Sequence, residues 1–231
     1  MQKNILLIGG SYGIGLELAK QLSAANHVFV ASRTIGELDG NGITHIPFDV
    51  LSGDISNTPL PDELHGFAFC PGSISLKPLK MMDIDTFRED MEINFFSMVK
   101  VVKAIMSKMA ENSSMVFFST VAVETGMPFH TSVAAAKGAI EGFALALAAE
   151  YAPRIRVNVI APSLVDTPLA GRLLNNDKKK TMMAERHPLK RVGVAKDVAR
   201  MASFLLDTDN SWITGQVFAV DGGMSKLNTN S

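Results

Sequence analysis

The chain has 231 residues, 22 basic and 23 acidic side chains for a net charge of −1, and 47% hydrophobic content. So even a balance leaves no electrostatic footprint for nucleic acid or an anionic membrane, and so apolar a chain buries a core rather than staying disordered. The expected partners are a small-molecule substrate and further copies of the chain, in a cytoplasm whose reducing conditions suit a single cysteine, Cys70.

Ile5-Leu6-Leu7-Ile8 reads as a first strand, too short for the core of a signal peptide. It runs into a glycine turn, Gly9 to Gly15, and the helical pattern Leu16, Leu18, Ala19, Leu22 begins at once. Gly9, Gly13 and Gly15 allow the tight turn and close backbone approach, so Gly9, Ser11, Tyr12, Gly13, Ile14 and Gly15 are expected to cradle a phosphate at a helix start. Further apolar, β-type runs fall at Val28–Ala31, Ile43–Ile46, Phe67–Phe69, Met115–Phe118, Ile155–Val159 and Val217–Val220. They mostly lack polar alternation, as strands buried on both faces do. Helical periodicity is clearest over Ile84–Met109, Ala134–Ala149 and Val194–Leu206. The order predicts an α/β fold: a Rossmann-like doubly wound parallel sheet of about seven strands, helices on both faces, in one domain spanning residues 1–231.

Two stretches stand apart from this alternation. Residues 33–43 leave little room for a crossover helix. Residues 163–191 form an excursion over the carboxyl ends of the strands, where ligands bind in such sheets, and Leu169, Leu173, Leu174, Met182 and Met183 suggest an apolar lid. The longest apolar stretch, near Phe143 to Ala149, falls short of the ~20 residues of a membrane span. The five histidines, at 27, 45, 65, 130 and 187, show no metal-ligand spacing.

Several motifs in order resemble the short-chain dehydrogenase/reductase family over nearly the whole chain. They are the glycine loop, Asp49-Val50 after the third strand, Asn94 in Glu92-Ile93-Asn94, Ser119-Thr120 with Lys137 seventeen residues beyond Thr120, Val157 through Pro162 followed by Asp166-Thr167-Pro168, and Val220-Asp221-Gly222-Gly223. The resemblance implies hydride transfer with a nicotinamide cofactor. It assigns Asp49 and Val50 to the adenine, Gly72, Pro162, Val165 and Thr167 to the nicotinamide side, and Lys137 to the ribose. It also implies a proton-relay role for Asn94 and a carbonyl-polarising hydroxyl at Thr120. At the end of the second strand stand Ser32 and Arg33 with no nearby carboxylate. A guanidinium fork suits a 2′-phosphate, so NADP(H) is expected over NAD(H).

One departure is central. The family's tyrosine, four residues before the lysine, is Val133 here. His130, seven residues before Lys137, is the foremost replacement acid, because enoyl-reductase-like relatives place their tyrosine there; Ser132 is a poorer one. Two functions remain open on sequence. One is an NADP(H)-dependent reductase of a carbonyl or conjugated alkene with an atypical proton donor. The other is a non-catalytic NADP(H)-binding sensor or partner subunit. The long helices Ile84–Met109 and Ala134–Ala149, the latter carrying Gly138 and Gly142, are the family's pairing surfaces and imply a homodimer or homotetramer.

Overall fold

The computed structural model describes residues 2–40 and 42–228. Among the described residues nine strands form: β1 (Asn4–Ile8), β2 (His27–Ser32), β3 (Ile43–Pro47), β4 (Leu64–Phe69), β5 (Met109–Phe118), β6 (Ile155–Pro162), β7 (Val165–Asp166), β8 (Gly193–Val194) and β9 (Val217–Val220). Seven make one sheet in the order β3-β2-β1-β4-β5-β6-β9, every pairing parallel, while β7 and β8 pair separately. The expected strands are all present.

Alternate residues of the strands feed two cores. Leu6, Ile8, Phe67, Phe69, Met115, Phe117, Val157 and Val159 pack on one face with Met98, Val101, Val102 and Ile105 from α3 (Ser97–Ile105) and Ile140, Ala144 and Leu147 from α5 (Thr131–Tyr151). Ile5, Leu7, Val28, Val30, Val116 and Ile160 pack on the other with Leu18, Ala19 and Leu22 of α1 (Gly13–Leu22) and Val198, Ala199, Ala202 and Leu205 of α7 (Ala195–Leu206). Helices on both faces bury both sides of each central strand. This is why the strands read as continuous apolar runs.

Two expectations need correction. Ile84–Met109 is not one helix: α2 (Ile84–Met91) gives way to a single π turn (Glu92–Phe96), then α3, then a 3₁₀ turn (Met106–Lys108), and Met109 already begins β5. The polar Glu111-Asn112-Ser113-Ser114 disguises the strand's first half, where Asn112 takes φ = 61° and the register against β4 shifts between Leu64 and Gly66. The second concerns α5. Its 21 residues reach a mean hydropathy of 1.4 over 18 residues, so by length and composition it could cross a membrane. It instead lies on the sheet with Val133, Ala136, Ile140, Ala144, Leu147 and Ala148 buried, as the core helix of a packed domain does.

The segment after β2 forms no helix among its described residues and folds onto the glycine loop, with Glu37 N–H donating to Ser11 O at 3.3 Å. The excursion after β6 contains β7, a 3₁₀ turn (Pro168–Ala170), α6 (Asp177–Glu185) and β8. Its lysine run lies in α6, where Lys178 and Lys179 are exposed and Lys180 pairs with Asp166 at 2.9 Å.

Candidate active site

Parallel strands end on one edge, and the expected site residues gather there in two groups. The first group surrounds the turn between β1 and α1. Gly9 (φ = 75°) and Gly13 (φ = 59°) occupy backbone conformations that side-chain-bearing residues resist, and a Cβ on Gly15 would lie 2.1 Å from Gly9 O. The N-cap of α1, Tyr12, makes no side-chain capping bond. The first turn of the helix therefore keeps its N–H groups for another acceptor. Beside the turn, Ser32 is buried and its hydroxyl is already engaged, 2.6 Å from Ser11 Oγ, 2.9 Å from Thr34 O and 3.1 Å from His45 Nε2. Arg33 is exposed and makes no ion pair among the described residues. Asp49 turns one carboxylate oxygen to Leu51 N at 3.0 Å, and Val50 packs against the core.

The second group lines a cavity of about 240 Å3. Ile14, Gly72, Thr120, His130, Val133, Lys137, Pro162, Val165 and Thr167 all contribute to its wall. The two groups meet where Gly13 faces Thr167, with a Cβ on Gly13 falling 3.5 Å from Thr167 Cβ. Ser119 turns away to Glu141 (2.5 Å), so of the Ser119-Thr120 pair Thr120 has its hydroxyl free of an acidic partner. His130 donates from Nδ1 to Pro128 O (2.7 Å), which leaves Nε2 for other partners. Ser132, in contrast, is buried with its hydroxyl 3.4 Å from Thr86 O and does not line the cavity. Of the expected lid residues, Leu169, Leu173 and Met183 reach the cavity, whereas Leu174 is buried and Met182 is exposed.

Lys137 is buried, and Nζ donates to Phe118 O at 3.0 Å. Burial pushes its ammonium down to about 8, opposed by Cys70 and Asp90. Cys70, on the same wall, has its thiol pushed up to about 12 by burial, with Lys137 opposing; it is a packing residue rather than a nucleophile. Asn94 does not line the cavity. It is fully buried in the π turn, donating from Nδ2 to Ser73 Oγ (2.8 Å) and Asp90 O (2.7 Å), with Gly72 between it and Lys137.

Four polar residues here escaped the sequence reading. Asp90 is 1% exposed and accepts from Ser73 Oγ (2.5 Å), with its Oδ2 unpartnered among the described residues. Ser73, which orients it, lines the cavity. Ser163 and His187 form a hydrogen-bonded pair at 2.9 Å on the opposite wall. Both pairs join residues distant in sequence, and only the position of Ser163 and His187 at the two ends of the excursion hinted at theirs.

The chain matches the family model adh_short_C2, described as enoyl-(acyl carrier protein) reductase, over residues 62–225. It is 31% identical to a 3-oxoacyl-[acyl-carrier-protein] reductase of Chlamydia trachomatis over 97% of this chain and 98% of that one. It is 37% identical to a protein of Xanthobacter autotrophicus named inactive 2-(S)-hydroxypropyl-CoM dehydrogenase 2, over 94% and 86% of the two chains. A solved short-chain type dehydrogenase/reductase from Mycobacterium ulcerans superposes with a TM-score of 0.87 at 29% identity, covering 97% of this chain and 90% of that one.

Proposed function

The chain belongs to the short-chain dehydrogenase/reductase family, and on that premise we propose that it is an NADP(H)-dependent oxidoreductase reducing a carbonyl or conjugated alkene of a small molecule with an atypical proton donor. The observation that carries this reading is the continuity of the two groups of residues. The cradle at Gly9–Gly15 abuts, through Gly13 and Thr167, a cavity walled by Thr120, Val133 and Lys137.

The residues present fit such a cofactor. The positive-φ glycines and the uncapped first turn of α1 suit a diphosphate, and the unpaired Arg33 suits a 2′-phosphate. Gly9, Ser11, Tyr12, Gly13, Ile14, Gly15 and Arg33 would hold the phosphates, with Ser32 bracing the turn from within. Asp49 and Val50 would hold the adenine, and Gly72, Lys137, Pro162, Val165 and Thr167 the nicotinamide side. When bound, the reduced nicotinamide supplies a hydride.

The remaining chemistry falls to the chain itself. Thr120 donates its hydroxyl proton in a hydrogen bond to the acceptor oxygen and polarises it, and Lys137 keeps a positive charge near the negative charge that develops there. Asn94 positions Gly72 and, with Ser73, the wall that Lys137 faces. Leu169, Leu173 and Met183, from the excursion over residues 163–191, exclude water. Val133 can neither give nor take a proton, so the proton comes from another source: His130, as its spacing to Lys137 suggests, the imidazole of His187 on the same wall, or water. Such a reaction suits a cytoplasm, and the exposed small-residue face of α5 (Ala135, Gly142, Ala146, Ala149) suits close helix packing in a homodimer or homotetramer.

A second reading, a non-catalytic NADP(H)-binding sensor or partner subunit, is favoured by Val133 and by the inactive name of the Xanthobacter relative. Single-turnover NADPH oxidation against a panel of ketones and enones separates the two. Oxidation above the protein-free rate supports the reductase. Tight NADPH binding with no oxidation, and with activity toward ketones gained only in Val133→Tyr, supports the disarmed site.

A further inference from the structure

His187 is 3% exposed, yet it stands on a wall shared by two spaces. On one side is the cavity containing Thr120 and Lys137. On the other is an outer cleft of about 420 Å3 bordered by Arg191, Asp197, Asp221 and Gly222. Ser163 borders both as well. The imidazole bonds fix its tautomer. Met183 O, 2.8 Å from Nδ1, can only accept, so Nδ1 carries a proton and Nε2 faces Ser163 Oγ at 2.9 Å. With His187 neutral, the Ser163 hydroxyl must donate to Nε2. With His187 protonated, Nε2–H donates to Ser163 and the hydroxyl proton turns elsewhere, where Met224 Sδ at 3.0 Å is its sole protein acceptor among the described residues. A thioether is a weak acceptor, readily displaced by a substrate oxygen.

We propose that Ser163 and His187 form the proton relay of this site, Ser163 touching the substrate and His187 reloading it from the outer cleft. The proposal rests on the reductase reading. As the acceptor carbon gains hydride and the nicotinamide is oxidised, the acceptor oxygen takes the Ser163 hydroxyl proton and Ser163 takes the Nε2 proton of the imidazolium. His187 ends neutral and recovers its proton from water. Val121 N–H donates to Pro162 O at 3.1 Å, which ties the turn bearing Thr120 to the residue before Ser163, so polarising hydroxyl and relay line one cavity at the same strand edge.

The surrounding charges suit an imidazolium. Asp221 is opposed by partial burial, but hydrogen bonds from Ser225 and Gly223 and the neighbouring His187 hold its carboxyl below the ordinary range. Arg191 and Asp197 neutralise each other at 2.6 Å, leaving Lys137 and Arg186, the latter exposed at the end of α6, as the cations at the cavity wall, with Asp221 beside the ring opposing them. The loop carrying Gly222 packs on the ring, 3.7 Å from Cδ2 to a Cβ built on that glycine.

The test uses NADPH with acetoacetyl- and crotonyl-N-acetylcysteamine thioesters under single-turnover conditions, alongside imidazole NMR of the full chain. His187→Gln and Ser163→Ala are expected to slow oxidation roughly 10²-fold or more with NADPH affinity unchanged, and Ser163→Thr to restore part of the rate. The wild-type rate should fall as pH rises, and His187→Gln should abolish that limb. Hydride transfer that survives His187→Gln undiminished, or that collapses only in His130→Gln, overturns the relay and spares the reductase reading. Oxidation with neither probe in the wild type counts against the reductase reading alone. The NMR then judges the relay. Ring-nitrogen signals of His187 that Ser163→Ala shifts support it. Signals that Ser163→Ala leaves unchanged overturn it.

Discussion

Replacing Lys137 by methionine should make the protein more stable at neutral pH. The ammonium is buried against Phe118 O and its pKa falls from 10.5 to about 8, chiefly through burial, with Cys70 and Asp90 opposing. At ~1.4 kcal/mol per pH unit the buried charge costs about 3 kcal/mol at pH 7. Methionine has nearly the same length and no charge, but forfeits the charge-assisted bond to Phe118 O, worth about 2 kcal/mol. The expected gain is about 1 kcal/mol, or a rise in Tm of roughly 2–4 °C. The sign with pH is distinctive. Below pH 8 lysine is charged in both states and its full penalty is present. Between 8 and 10.5 the unfolded chain holds a proton that the folded chain has released, so wild-type stability rises with pH. The advantage of Lys137→Met should therefore shrink steadily across that interval. Urea denaturation of both proteins from pH 6.5 to 10, without nucleotide, measures it. A variant less stable than wild type by a pH-independent margin would refute the assignment of Lys137 as a desolvated charge.

Three further outcomes follow from the same geometry. Arg33→Asp should weaken NADPH binding roughly 10- to 100-fold, the scale of a lost charge-assisted bond, while NADH affinity changes little; calorimetry with both nucleotides shows whether the losses are instead equal. Gly15→Ala pushes a methyl to 2.1 Å from Gly9 O and should cost about 1–3 kcal/mol as well as nucleotide binding, read by thermal melts with and without NADPH. Gly142 has nothing within 4 Å of a built Cβ, so Gly142→Arg should leave the melting temperature intact and convert an oligomer to a monomer by light scattering. An unchanged mass would remove α5 as the interface.

Local order was legible in the sequence, and long-range pairing was not. The central strands of the main sheet announce themselves because both their faces are buried, so no polar alternation interrupts Leu6-Leu7-Ile8 or Phe67-Ala68-Phe69, while the edge strands β3 and β9, only partly buried, show through their β-branched and aromatic residues. The break in Ile84–Met109 was hidden because apolar residues, Ile93, Phe95 and Phe96, run on through the π turn, while Met109 and Ala110 continue the apolar run into a strand. Asp90 looks like one more charge on a solvated helix face; its burial is set by Ser73 and Ser75, residues on another element. Likewise, nothing within either Pro162-Ser163 or His187-Pro188 reveals that they touch. The contact exists because the chain between them returns to the strand edge it left.

That return is made by the smallest element of the fold. The two-residue pairing of β7 with β8, Val165 against Gly193 and Asp166 against Val194, closes residues 167–192 into a ring at its own neck. Lengthening a closed ring is cheap, about 0.6 kcal/mol for each doubling, and a ring fastened at its base passes little strain to the sheet beneath. The walls nearest a substrate can thus be exchanged as a cassette around a retained Thr167 and His187 while Ser163, just outside the neck, stays where it is. Swapping the rest of that ring is the economical route to new substrates on this scaffold.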